Sequence, residues 1–121
     1  MKNWLIIGAL MAALSVMIGA FGAHGLKSRV NSTDLEIFET GVKYQMYHSL
    51  GLILIGIIGF HFRHDILTTP ALLLFFGTIV FSGSLYVLVL SNLRWFGAVT
   101  PLGGICLVLG WILLSLNIFR Y

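Results

Sequence analysis

Charge is what this chain has least of. Of its 121 residues, seven are Lys or Arg and four are Asp or Glu, or 9% charged. Soluble domains carry about 25%, and a soluble protein this poor in charge could not cover its surface. There is one cysteine, Cys106, which excludes an intrachain disulfide, and there are two prolines, Pro70 and Pro101. The basic residues are scattered and the net charge is only +3, so no basic patch for nucleic acid forms. No nucleophile–base pair and no set of metal ligands stands at a recognisable spacing. The chain therefore reads as non-enzymatic, with no metal and no cofactor.

What fills the chain is apolar, at 59% hydrophobic residues. Asn3–Leu26, Tyr44–Phe62, Ile66–Leu93 and Trp95–Phe119 carry no Asp, Glu, Lys or Arg and are 24, 19, 28 and 25 residues long. A bilayer core about 30 Å thick needs about 20 apolar residues in helix to cross it. The expectation is a single all-α domain over 1–121, a four-helix transmembrane bundle with spans at about 4–23, 44–62, 70–90 and 100–119. The first apolar stretch exceeds the roughly 7–15 residues of a signal-peptide core, so it reads as a retained span.

Local signals refine this picture. Gly22-Ala-His-Gly25 reads as the end of span 1. Asn31-Ser-Thr-Asp34 offers helix-capping side chains, and Thr33 with Glu36 fits a capping box. A helix is thus predicted from about Asp34, with Asp34–Lys43 forming an interfacial extension before span 2 and a bend at Gly41. Thr69-Pro70 and Thr100-Pro101 suit the first turns of spans 3 and 4. Four spans place His24, Tyr44, Gln45, Tyr47, His48, Asn92, Arg94 and Thr100 towards one face. Lys2, Arg63 and Arg120 fall on the other. Four basic residues against three give no positive-inside bias, so orientation stays open.

The densest polar segment is Glu36–His48. On a helical wheel Glu36, Glu39, Thr40, Lys43, Tyr44, Tyr47 and His48 share one half, while Leu35, Phe38, Val42 and Met46, with Gln45 among them, share the other. One reading is an amphipathic turn entering the membrane, with Tyr at headgroup level. The other is a polar cluster in which His24, Tyr44, Gln45, Tyr47 and His48 face the bundle at the membrane boundary, where embedded polar groups mark function. None of the four runs shows an ionisable residue near mid-depth. A second pattern is small residues at helical spacing: Gly8, Ala12, Ser15, Gly19 and Ala23 in span 1, and Gly103, Cys106 and Gly110 in span 4. Such stripes let helices approach closely, within the bundle or between copies.

Gly19-Ala-Phe-Gly-Ala-His-Gly25, Thr40-Gly-Val-Lys-Tyr-Gln-Met-Tyr-His48, Phe81-Ser-Gly-Ser-Leu-Tyr86 and Thr100-Pro-Leu-Gly-Gly104, in this order, resemble the small bacterial membrane proteins of YwdK and YgdD type. These form a domain-of-unknown-function family, number 423, with a eukaryotic relative called transmembrane protein 256. The resemblance implies a multi-pass protein of the bacterial cell membrane and supplies no activity, ligand or catalytic residue. The functional expectation is a binding or accessory protein in the lipid bilayer, packed with itself as a homo-oligomer or with a larger membrane partner. The alternatives are a small oligomeric transporter or channel and, third, a membrane enzyme acting on lipid or quinone.

Overall fold

The computed structural model describes residues 1–121 and contains helices and no strands. The elements are α1 (Lys2–Phe21), continued by a π-helical turn (Gly22–Leu26), then α2 (Ser32–Ile58), α3 (His64–Ser91), a 3-10 turn (Arg94–Ala98) and α4 (Thr100–Arg120). The glycine-rich segment after α1 does not end the helix as expected. It continues as a π turn, in which Gly22 rests directly on the Phe38 ring, where a Cβ would come within 2.7 Å of Cε1. The turn carries Leu26 into a buried cluster with Phe38, Leu88 and Val89.

Asn31 caps α2: its Oδ1 accepts from the Asp34 N–H at 2.8 Å. The Thr33–Glu36 capping box does not form, since the helix already starts at Ser32. Nor does Gly41 break the helix. It lies where the Tyr86 ring presses on α2, with a Cβ placed 2.8 Å from Cε1. α3 starts at His64 rather than at Thr69-Pro70, so Pro70 lies inside the helix. Proline has no N–H to give the carbonyl four residues back. That carbonyl, Ile66 O, accepts instead from Asn117 Nδ2 of α4 at 2.8 Å. A side chain on a neighbouring helix thus takes over the missing backbone bond.

α2 and α3 form the centre of the molecule. α1 packs on α2 and α4 on α3, on opposite flanks, with no packed interface between α1 and α4. Gly8 lets α1 meet α2, since a Cβ there would lie 2.7 Å from Ser49 O. Gly103 does the same for α4 on α3, against Phe81 Cα at 2.8 Å. A core of Leu52, Ile55, Leu67, Ala71, Leu74 and Leu107 fills the end of the bundle near the α2–α3 connection. Large apolar side chains such as Leu10, Val16, Leu54, Phe76 and Ile105 point outwards. This is the pattern of helices solvated by lipid.

Three stretches are long and apolar enough to cross a membrane: Lys2–Leu26, His64–Ser91 and Arg94–Arg120. The second expected span differs. α2 stops at Ile58 rather than Phe62, and its first turns hold Asp34, Glu36, Glu39 and Lys43. Its apolar part is nevertheless laid antiparallel along α1. Gly59 meets Met1 at one end, and Val42 meets Gly19 at the other.

Candidate functional site

A rung of hydrogen bonds joins all four helices, at the middles of α1, α2 and α4 and towards the C-terminal end of α3. Gln45 Nε2 donates to Met11 O of α1 at 2.9 Å, and its Oε1 accepts from the Tyr86 hydroxyl of α3 at 2.7 Å. Ser15 Oγ donates to Val42 O at 2.9 Å, and Ser82 Oγ to Gly41 O at 2.7 Å. From α4, Trp111 Nε1 donates to His48 Nε2 at 3.0 Å. His48 Nδ1 lies 2.8 Å from Tyr44 O. A carbonyl can only accept and an indole N–H can only donate. His48 is therefore the neutral tautomer with its proton on Nδ1, and both ring nitrogens are occupied. No buried side-chain nitrogen or oxygen in the chain lacks a partner.

The sequence placed these polar groups at the membrane boundary, and the structure corrects that. Met11 is at the middle of α1 and Trp111 at the middle of α4, so Gln45 and His48 lie near mid-length of the bundle. The apolar run beginning at Tyr44 suggested an edge there. α1 instead lies alongside α2 as far as Val42, so the bundle's frame starts earlier. An ionisable side chain, His48, therefore does stand near mid-length of the bundle, inside one of the runs that showed none there.

The expected cluster forms only in part. Gln45 and His48 are buried in the rung. Tyr44 lies against it, its ring 4.7 Å from that of Phe81 and 6.2 Å from His48. Tyr47 is more than half exposed and packs on Tyr44 alone among the aromatic rings. His24, in the π turn, is exposed and takes no part in the network. The π turn points it outwards, whereas nearness of the two helix ends had suggested contact. Sequence reasoning singled out neither Tyr86 nor Trp111 as a partner. The signal for both was an aromatic side chain with a polar tip inside an apolar run, where lipid offers that tip nothing.

The small residues have mixed fates. Gly8, Ser15 and Gly19 face α2, while Gly103 and Gly110 face α3. Ala12 is half-buried, and Ala23 is exposed on the π turn, off the packed face.

Beside the rung, α2 and α4 leave a groove of 660 Å³, lined by Tyr44, His48, Phe81, Pro101, Val108 and Trp111 among others. It runs along α4 from Pro101 to Trp111, ten residues or about 15 Å. That is half of a roughly 30 Å hydrocarbon core. Trp111 and His48, hydrogen-bonded to each other, line it at the end nearest the helix middles.

Outside the helix middles, Arg94 grips Asp34 with both ends of its guanidinium, Nη1 to Oδ1 at 2.8 Å and Nη2 to Oδ2 at 2.6 Å. Its Nε donates to Asn92 Oδ1 at 2.8 Å. Asn92 ends α3 in the left-handed conformation, φ 59°. The Arg94 bonds hold the Asp34 carboxyl below the usual carboxylate range, and the partner charge adds to this.

The family described as a protein of unknown function, DUF423, matches residues 18–104. The chain is 44% identical to the UPF0382 membrane protein SH2409 of Staphylococcus haemolyticus, over 100% of this chain and 98% of that one. It is 45% identical to SSP2132 of Staphylococcus saprophyticus, over 99% of each chain. It is 40% identical to YwdK of Bacillus subtilis, over 100% of this chain and 99% of that one. No solved structure matches. The helical stretches able to cross a bilayer, the lipid-type exterior and these full-length matches agree, and the chain belongs to the DUF423 family of membrane proteins.

Proposed function

We propose that this protein crosses the bacterial plasma membrane four times and binds, without transforming it, an amphiphile that occupies one leaflet. The observation that carries the reading is the groove between α2 and α4. It is as long as one leaflet is deep and reaches the His48–Trp111 bond at the helix middles. A spanning helix from a partner would need a face twice as long. An acyl or isoprenoid chain fits the length, with the Tyr44 hydroxyl beside it for a polar group. Binding fits better than catalysis because both His48 nitrogens are already committed to the protein. Packing between copies loses its first support, since the small stripes face neighbours within the chain. The mid-depth position of His48 favours one other reading, an oligomeric transporter, because ionisable groups there often line pathways. The fourth crossing, by α2, rests on its alignment along the whole of α1.

The probe is a long-chain alcohol brominated at mid-chain, which quenches Trp111 fluorescence in a Trp4→Phe, Trp95→Phe background. Gly104 lines the groove, and a Cβ there meets only Phe81 at 3.8 Å, so Gly104→Leu plugs the groove without disturbing the fold. Saturable quenching that Gly104→Leu abolishes is expected. Quenching that is linear and equal in both would show ordinary lipid solvation and overturn the reading.

A further inference from the structure

On the opposite flank, three cavities follow one another along the cleft between α1 and α3. The outermost, 460 Å³, has Phe21 and Leu90 in its wall, and both residues also wall the next, of 260 Å³. Ile18 and Tyr86 are shared between that cavity and the third, of 360 Å³, which reaches Met11. From Phe21 to Met11 is ten residues of α1, about 15 Å. The two inner cavities are lined mainly by apolar side chains. The outer one is polar at its rim.

The chemistry of that rim is one-sided. Asn31 spends its carbonyl on the Asp34 N–H, and Asn92 spends its own on Arg94 Nε. Each amide therefore presents its NH₂ group as the free function. Asp34, the acid in the wall, has both oxygens held by Arg94 and a side chain only 10% exposed. Arg29 is in neither of the chain's two ion pairs. The side-chain groups left free are two amide NH₂ groups and a guanidinium, all donors. With Asp34 and Arg94 cancelling, they carry one net positive charge. We infer that the α1–α3 cleft binds one anionic phospholipid, its phosphate held by Arg29, Asn31 and Asn92 and an acyl chain laid inwards past Gly83. The match is of donors to phosphate oxygens, of one charge to one charge, and of cleft length to one leaflet. A choline headgroup brings a positive charge, and the one carboxylate at the rim, Asp34, is already neutralised by Arg94. The site is separate from the α2–α4 groove and does not depend on it.

Native mass spectrometry of the full chain from mild detergent tests this, with equal phosphatidylglycerol and phosphatidylcholine in one arm and inorganic phosphate alone in another. Two rim variants leave the fold in place. Asn31→Asp keeps the capping oxygen but replaces the donor with a negative charge, and Arg29→Gln removes an exposed charge. A third blocks the chain: Gly83 lines the inner cavity and a Cβ there meets nothing within 4 Å, so Gly83→Leu fills the cleft without a clash. The expected result is one retained phosphatidylglycerol, favoured over phosphatidylcholine roughly tenfold. Each rim variant should lower its retention by roughly tenfold, and Gly83→Leu should remove it. Equal retention of the two lipids would overturn the inference, as would phosphate bound alone without lipid, or retention indifferent to Gly83→Leu. Loss on Gly104→Leu instead would place the lipid in the α2–α4 groove, overturning this site and leaving the proposed function standing.

Discussion

Gln45 falls on the helical wheel among Phe38, Val42 and Met46, and this explains its burial: with Ser49 one turn on, it is a polar residue on the face that α2 turns towards α1 and α3. Its amide has a fixed orientation, because Met11 O can only accept and the Tyr86 hydroxyl supplies the proton to Oε1. His48 is held in the same way between Tyr44 O and Trp111. In lipid such bonds typically contribute about 0.6 kcal/mol and at most about 1.7 kcal/mol, because the unfolded chain in the membrane also finds partners. A double-mutant cycle on Gln45→Leu and Tyr86→Phe, read by denaturant titration in detergent, should give a coupling of about 0.5–1.5 kcal/mol. The same cycle with His24→Ala in place of Tyr86→Phe should be additive, because the His24 side chain lies outside the rung. Additivity in both would mean that the Gln45–Tyr86 bond does not hold in solution.

Helix ends are tied by charge and helix middles by close approach. Gly8 and Gly103 seat the outer helices on the central pair. At one end the Asp34–Arg94 pair joins the first turn of α2 to the connection between α3 and α4, sixty residues away in sequence. The bonds from Arg94 depress the Asp34 pKa in the folded protein. A depressed carboxyl contributes stability that is fully present above its unfolded value, about 3.9, and is lost as pH falls through the lower folded value. Thermal stability in detergent should therefore hold from neutrality down to about pH 4 and decline below it. Asp34→Asn should be less stable at neutral pH and should lack this component of the acid decline. An unchanged acid profile in the variant would remove the clamp from the account.

At the scale of the molecule, the central pair α2 and α3 separates two lateral clefts that open on opposite flanks. The proposed four crossings would put the Lys27–Asn31 connection and the Phe60–Arg63 connection on opposite sides of the membrane. Single cysteines at Ser28 and His61, in a Cys106→Ser background, should be labelled by a membrane-impermeant reagent from opposite sides of sealed vesicles. Labelling from the same side would show that α2 lies along the surface and that the chain crosses three times. Labelling of each site from both sides would show insertion in two orientations, as the near-even count of basic residues permits.

The sequence by itself determined the solvent and the fold class. Apolar runs of 19–28 residues are too long for single barrel strands and satisfy every backbone N–H and C=O within a helix, and this left the four helices legible. Composition and motif order were enough for the family. Depth and partnership were decided only by tertiary structure. The run beginning at Tyr44 marks where charge stops, not where the bundle begins, and only the alignment of α1 on α2 shows His48 to be central. Pro70 looked like a helix start because its remedy, Asn117, lies 47 positions away. Gln45 was visible as a polar residue on an apolar face, yet Tyr86 became its partner, and Trp111 that of His48, through packing between helices, which periodicity within one helix does not encode. The clefts are likewise properties of how whole helices diverge, and no single element carries them.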